Sequence, residues 1–130
     1  MTLCYNNEIS SIESCPLSND NSNITLYRLI KNHITCEEDL EPKAINPRNR
    51  HLKHICEAWG ISTYKDANMA IANYKGMNSV LRSRFSHLAS VSVDISFGIK
   101  YQSGENSHHY SLFPFVDENI ISKFTTVSKL

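Results

Sequence analysis

"SVSVDISF", residues 90 to 97, alternates apolar and polar side chains without a break. Successive side chains of an extended strand point to opposite faces. Val91, Val93, Ile95 and Phe97 therefore share one face, and Ser90, Ser92, Asp94 and Ser96 the other. A strand with one apolar and one polar face belongs in an antiparallel sheet with one side on the core. "GIKYQ" (98 to 102) continues past a glycine bulge, "SGEN" supplies a turn, and "HHYSLFPF" returns as the hairpin partner.

Two upstream segments add strands. "ITLYRLIK" (24 to 31) is bounded by Asn on both sides and places Leu26 and Arg28 on one face, Tyr27 and Leu29 on the other. "ISTY" (61 to 64) reads as a short strand. Helix signals lie between them. Thr35 and Glu38 have capping-box spacing before Pro42 ends a short helix. Leu52, Ile55, Cys56 and Trp59 predict a second helix over 50 to 58, with Gly60 as terminator. Asp66 caps "ANMAIANYK", where Ala67, Ala70, Ile71 and Tyr74 form one helical stripe. Asp117 starts a last short helix, and "TTVSKL" closes the chain as an edge strand or tail. The order β, α, α, β, α, β, β, α predicts an α+β fold: a mainly antiparallel sheet with three to four short helices in one domain, residues 24 to 130. Residues 1 to 23, rich in Asn, Ser and Glu and ending in "SNDNSN", read as a loosely ordered or partner-docked arm.

At 130 residues, 41% of them hydrophobic, the chain can bury one modest core. Its formal net charge is zero, so no global field draws it to nucleic acid or an anionic membrane. No apolar run reaches the roughly 20 residues that span a bilayer. The N-terminus carries neither the basic region nor the apolar stretch of a secretory signal, which predicts a cytoplasmic protein. Cys4, Cys15, Cys36 and Cys56 are then expected as free thiols.

Several residues carry chemistry. Arg28 lies in an otherwise apolar strand, where a guanidinium either binds phosphate or carboxylate at a cleft or pairs with an acid such as Glu37 or Asp94. Ser62 and Thr63 follow a helix-ending glycine, where hydroxyls grip a polar ligand or cap locally. His108 and His109 are adjacent on a strand and so face opposite ways; at most one serves a site, either His109 with Ser111 or His108 with Tyr110. His51, His54 and Cys56 are ligand types that zinc accepts, but no Cys-x-x-Cys completes a set, and the expectation is no metal. Lys75, Arg82, Arg84 and His87, with Tyr74 and Phe85 nearby, form the most basic stretch and the one route to weak single-stranded nucleic-acid binding. Four glycines leave no P-loop or dinucleotide fingerprint, and there is no Gly-x-Ser-x-Gly elbow.

Taken in order, "LYRLIKN", "CEAWGISTYKDANMA" and "SHHYSLFPF" resemble a family of small, largely uncharacterised bacterial proteins over roughly residues 25 to 117. That resemblance implies no established activity. A further likeness is to the ADP-ribosyltransferase group, in which a strand arginine and a Ser-Thr motif bind NAD and a late glutamate acts. It implies ligand-binding roles for Arg28, Ser62, Thr63 and Tyr64, with NAD as cofactor. The Glu-x-Glu or Gln-x-Glu motif is missing, since Glu105 and Glu118 are the only late glutamates. His109 would then be the catalytic proton carrier, its ordinary pKa being near neutrality. Three functions follow: a domain binding a small polar or nucleotide-like ligand, a non-enzymatic protein-binding module of the toxin, immunity or phage-defence type that docks or homodimerises through Phe113 and Phe115, and nucleic-acid binding through residues 75 to 87.

Overall fold

The computed structural model describes all 130 residues, Met1–Leu130. Six strands form one sheet: β1 (Ile24–Ile30), β2 (Ile61–Tyr64), β3 (His87–Val93), β4 (Gly98–Gln102), β5 (His109–Pro114) and β6 (Phe124–Lys129), in the order β4-β5-β2-β1-β3-β6. Every pairing is antiparallel. With three short α-helices, α1 (Asn6–Ile9), α2 (Ala67–Lys75) and α3 (Ser79–Arg82), and several 3-10 turns, the α+β class is as the sequence predicts.

The sheet is strongly curled, and a short link shows why. β3 and β4 are four strand spacings apart in the sheet order, or about 19 Å if it were flat. The four linking residues are folded into a turn, Phe97 N–H donating to the Asp94 carbonyl at 3.1 Å. Such a link spans at most about 15 Å. The sheet must bend until the start of β4 meets β3 and β6, and Phe97 duly lies edge-on to Phe124 at 6.4 Å. Leu26, Ile30, Val91, Val93, Leu112 and Phe124 are among the residues that fill the concave side.

The alternation that predicts a strand through residue 97 fails after Val93. The Asp94 carboxylate accepts from the Ser96 backbone N–H and hydroxyl, a local turn that competes with the ladder, and Ile95 is left 62% exposed. β4 and β5 form the expected hairpin. Gly98 is required there by close approach: a Cβ at this position would lie 2.2 Å from the Phe113 carbonyl oxygen.

On the convex face, α2 packs Ala70 against Leu29 and Leu88, and Asp66 caps it by accepting from the Asn68 N–H. The two upstream helices are corrected to 3-10 turns. Over 47 to 59 the chain forms Pro47–Leu52 and Cys56–Trp59, interrupted by extended Ile55. Over Glu37–Leu40 the N-cap is Cys36, and the carboxylate of Asp39 at the third helical position accepts from the Cys36 and Lys31 N–H groups. Thr35 is buried with its hydroxyl unpartnered. The last expected helix is reduced to a turn, Ile121–Lys123, before β6 takes the edge.

The first 23 residues are not a loose arm. Cys4 N–H donates to the Pro114 carbonyl and Val116 N–H to that of Thr2, each within 2.9 Å. Ile9 is 2% exposed in a cluster with Trp59, Tyr101 and Phe113. At the far end Asp20 N–H donates to the Lys100 carbonyl, and the buried Lys100 ammonium to that of Asp20. Cys15 is bonded to Cys56, which corrects the expectation of four free thiols; Cys4 and Cys36 alone are free. What composition hides is that a few apolar anchors and one covalent tie suffice to hold a polar segment down. No helix is long and apolar enough to cross a membrane.

Candidate functional site

β1 and β2 are paired only at Tyr27 and Tyr64. Beyond that point the Arg28 side chain joins the neighbouring segments, Nε donating to the Asp39 carbonyl and Nη1 to the Ser62 carbonyl at 2.6 Å. No carboxylate forms an ion pair with it, so the expected partnership with Glu37 or Asp94 is replaced by bonds to two backbone oxygens. Burial lowers its pKa to about 10, against the Asp39 carboxylate, which raises it; the group stays charged at neutral pH. A guanidinium has five N–H groups, two of which are engaged by these carbonyls, and Arg28 helps to line a cavity of about 410 Å3.

The floor of that cavity is the polar patch of the sheet, Ser62 on β2 and His109 and Ser111 on β5, joined by Ser103 at the end of β4. Opposite stands the 41 to 60 segment, with Glu41, Lys43, Leu52, Ile55 and Glu57. The floor is a continuous hydrogen-bond chain. Ser62 Oγ is 3.1 Å from His109 Nε2. His109 Nδ1 faces the Ser103 hydroxyl at 3.0 Å and the Ser103 carbonyl at 3.3 Å, and Ser103 Oγ is 2.7 Å from Ser111 Oγ. A carbonyl oxygen only accepts. With the proton on Nδ1, shared with the Ser103 carbonyl, the lone pair of Nε2 faces Ser62, whose hydroxyl then donates. Burial pushes the His109 pKa below its ordinary 6.5; the Ser103 bond opposes this and the nearby Lys43 charge adds to it. At neutral pH the imidazole is uncharged and its free nitrogen is basic.

The sequence candidates separate cleanly. Arg28, Ser62 and His109 line one cavity although they are far apart in the chain. Thr63 is fully buried on the opposite face, its hydroxyl donating to the Tyr110 carbonyl at 3.0 Å. Tyr64 does not line the cavity; it lies edge-on to His109 at 5.4 Å and buttresses the ring. Burial raises its phenol pKa, and the charge of Arg28 works the other way. Of the two histidines, His109 with Ser111 is the pair that meets the cavity. Cys56 is in the disulfide and so is no partner for His51 and His54 in metal binding. Phe113 is 1% exposed and stacked on Tyr101, so it offers no docking patch. Tyr74 and Phe85 pack against the cluster around Ala70 rather than standing free to stack on bases.

Lys43, Glu57 and Ser103 are cavity residues that sequence reasoning missed. Lys43 and Glu57 sit on short 3-10 turns, where no local pattern marks a residue as facing a cavity. Ser103 sits at a strand end, and its parity with Tyr101 was the signal that would have found it.

No protein-family model matches this chain, and no curated protein or solved structure matches it significantly.

Proposed function

We propose that the cavity over β2 and β5 binds a small polar ligand with an anionic group and at least one hydrogen-bond donor. The observation that carries this reading is the convergence of Arg28, Ser62 and His109 on one cavity. An anionic group meets Arg28, which has no counter-charge in an ion pair, and the exposed Lys43. Donors on the ligand meet Glu41 and Glu57, so a zwitterion or a hydroxylated acid suits the lining better than a bare anion. The volume lies at the small end of ordinary ligand pockets, which favours a mononucleotide-sized molecule over a dinucleotide such as NAD. The ADP-ribosyltransferase version of the reading is weaker, because Thr63 takes no part in the cavity. The disulfide favours an oxidising compartment over the cytoplasm.

A thermal-shift panel of inorganic phosphate, mononucleotides, amino acids and hydroxy acids tests the proposal. At least one compound should raise the melting temperature of the wild-type protein, and Lys43→Ala and His109→Gln should lose that rise while still folding. A panel without effect, or shifts unchanged in both variants, removes this reading.

A second reading, docking of a basic protein segment, is favoured by a separate groove of about 430 Å3. Its floor holds Tyr5, Leu40, Trp59 and Ile120, and its rim holds Glu37, Glu41, Asp117 and Glu118. An apolar floor with an acidic rim complements an apolar side chain flanked by Lys or Arg. A Lys- and Leu-containing model peptide that binds with strong salt dependence supports it; binding indifferent to Glu37→Lys and Glu118→Lys rules it out.

A further inference from the structure

The Ser62–His109 contact is the arrangement of a nucleophile and its base. We propose that Ser62 is a nucleophile activated by His109, and that the cavity hydrolyses small carboxylic esters; the placing of the substrate's polar group rests on the ligand reading above.

Four features of the geometry bear on this. The Oγ to Nε2 distance of 3.1 Å is within direct proton-transfer reach. The base is oriented from behind, since Nδ1 faces the Ser103 carbonyl and hydroxyl and Tyr64 closes on the ring edge. Ser62 stands on a strand paired to β5 at Ser62–Ser111, so its position does not depend on a mobile loop. A positive group is near the reacting centre, because Arg28 Nη1 already reaches the carbonyl of Ser62 itself. The depressed basicity of His109 keeps the imidazole neutral at pH 7, in its proton-accepting form.

The remaining hydroxyl–imidazole contact, Ser86 Oγ with His87 Nδ1 at 2.7 Å, lacks these features. The Ser86 hydroxyl donates to the Lys31 carbonyl, and neither residue lines the cavity described above.

The steps balance without a cofactor. The Ser62 hydroxyl proton passes to His109 Nε2 as Oγ attacks the ester carbonyl carbon, giving a tetrahedral oxyanion that Arg28 and Lys43 stabilise by charge. The oxyanion collapses, the bond from carbon to the leaving oxygen breaks, and the Nε2 proton goes to the departing alcohol. Water then gives a proton to Nε2 and its oxygen to the acyl carbon. Oγ leaves and takes that proton back. The sum is ester plus water to acid plus alcohol. The orienting group is a carbonyl and a hydroxyl where a full triad has a carboxylate. The expected turnover is correspondingly slow, since an acid that fixes the tautomer is worth up to about 10⁴-fold in the best-studied triads.

A fluorophosphonate probe tests this on the folded wild-type chain: an Oγ–P bond forms, the P–F bond breaks and fluoride leaves. Intact-mass and peptide mapping should find one adduct, on Ser62. The adduct should be absent in Ser62→Ala and form at least tenfold more slowly in His109→Gln. Labelling should persist in the remote control Ser79→Ala. No adduct on folded wild-type protein, scattered adducts on surface serines, or a rate indifferent to His109→Gln would overturn the inference. A protein that binds a member of the ligand panel but takes no label loses this inference alone. One that labels at Ser62 while binding none of the panel keeps the nucleophile and loses the ligand reading.

Discussion

Ser62 and His109 are diagonal neighbours on one face of an antiparallel pair, and strand register puts them there. Ser62 is opposite Ser111 and Tyr64 opposite His109, so the hydroxyl of residue 62 and the ring of residue 109 reach across the diagonal. A one-residue slip would turn His109 to the concave side and empty the cavity floor. The β4–β5 hairpin and the β2–β5 pairing are thus as much part of the site as its side chains are.

The depressed His109 pKa makes a stability prediction. Its neutral form is favoured in the folded state, so the unfolded chain binds more protons as pH falls through the ordinary value of 6.5. This contribution to stability is full above that value and is lost as pH falls toward and below the folded-state value. Melting temperatures measured between pH 8 and pH 5 should decline on the acid side, and His109→Gln should flatten the decline. An identical slope in the variant contradicts the assignment.

Arg28 has a structural task beside any ligand. Arg28→Met leaves the Asp39 and Ser62 carbonyls without their donor, which is expected to cost about 3 kcal/mol. Arg28→Lys should recover only part, because an ammonium cannot reproduce the planar fork. Urea denaturation of the two variants checks the ranking, and equal stability of wild type and Arg28→Met contradicts it.

How much of this was legible in the sequence follows from the range of each interaction. Strand alternation and the Asp66 cap are local, so β1, β2, β5 and α2 could be read directly. The break after Val93 was missed because the Asp94 side chain offers the backbone a local alternative that the apolar pattern does not register. The 50 to 58 stretch has helical spacing yet falls into two 3-10 turns, since Cys56 is tied to Cys15 and Ile55 between the turns is extended. In the site, Arg28, Ser62 and His109 were legible as polar residues out of place on strands. Thr63 was not separable from Ser62 by type; only the parity of β2 sends one to the cavity and the other to the core. Lys43 and Glu57 sit on short 3-10 turns whose place over the sheet is set by tertiary packing, so neither carried a local signal.

The disulfide closes a loop across a sequence separation of 41, worth about 3–4 kcal/mol by chain-entropy reckoning. Reduction, or the double variant Cys15→Ser with Cys56→Ser, should lower the melting temperature markedly. Thiol titration of the unfolded, unreduced protein should find two reactive groups, Cys4 and Cys36. Four reactive groups would contradict the pairing.

Gly98→Ala probes the approach of β4 to β5. Its Cβ would lie 2.2 Å from the Phe113 carbonyl and 2.7 Å from Pro114 Cα, both backbone atoms that cannot move aside. A loss of at least about 2 kcal/mol is expected, against a smaller effect for Gly76→Ala, where the backbone is right-handed and the added carbon meets only ordinary contacts at 3.6 Å. Similar losses at both positions would mean the strand contact is not the cause.

The central claim concerns where a ligand goes, and ¹H–¹⁵N shift mapping reads that directly. Titrating labelled wild-type protein with the best compound of the thermal-shift panel should move the amides of Ser62, Ser103, Gly104, His109 and Ser111 together along one saturable curve. Lys43→Ala should weaken that curve without altering the rest of the spectrum. Saturable shifts confined to the groove around Tyr5 and Ile120, or none anywhere, would contradict the account.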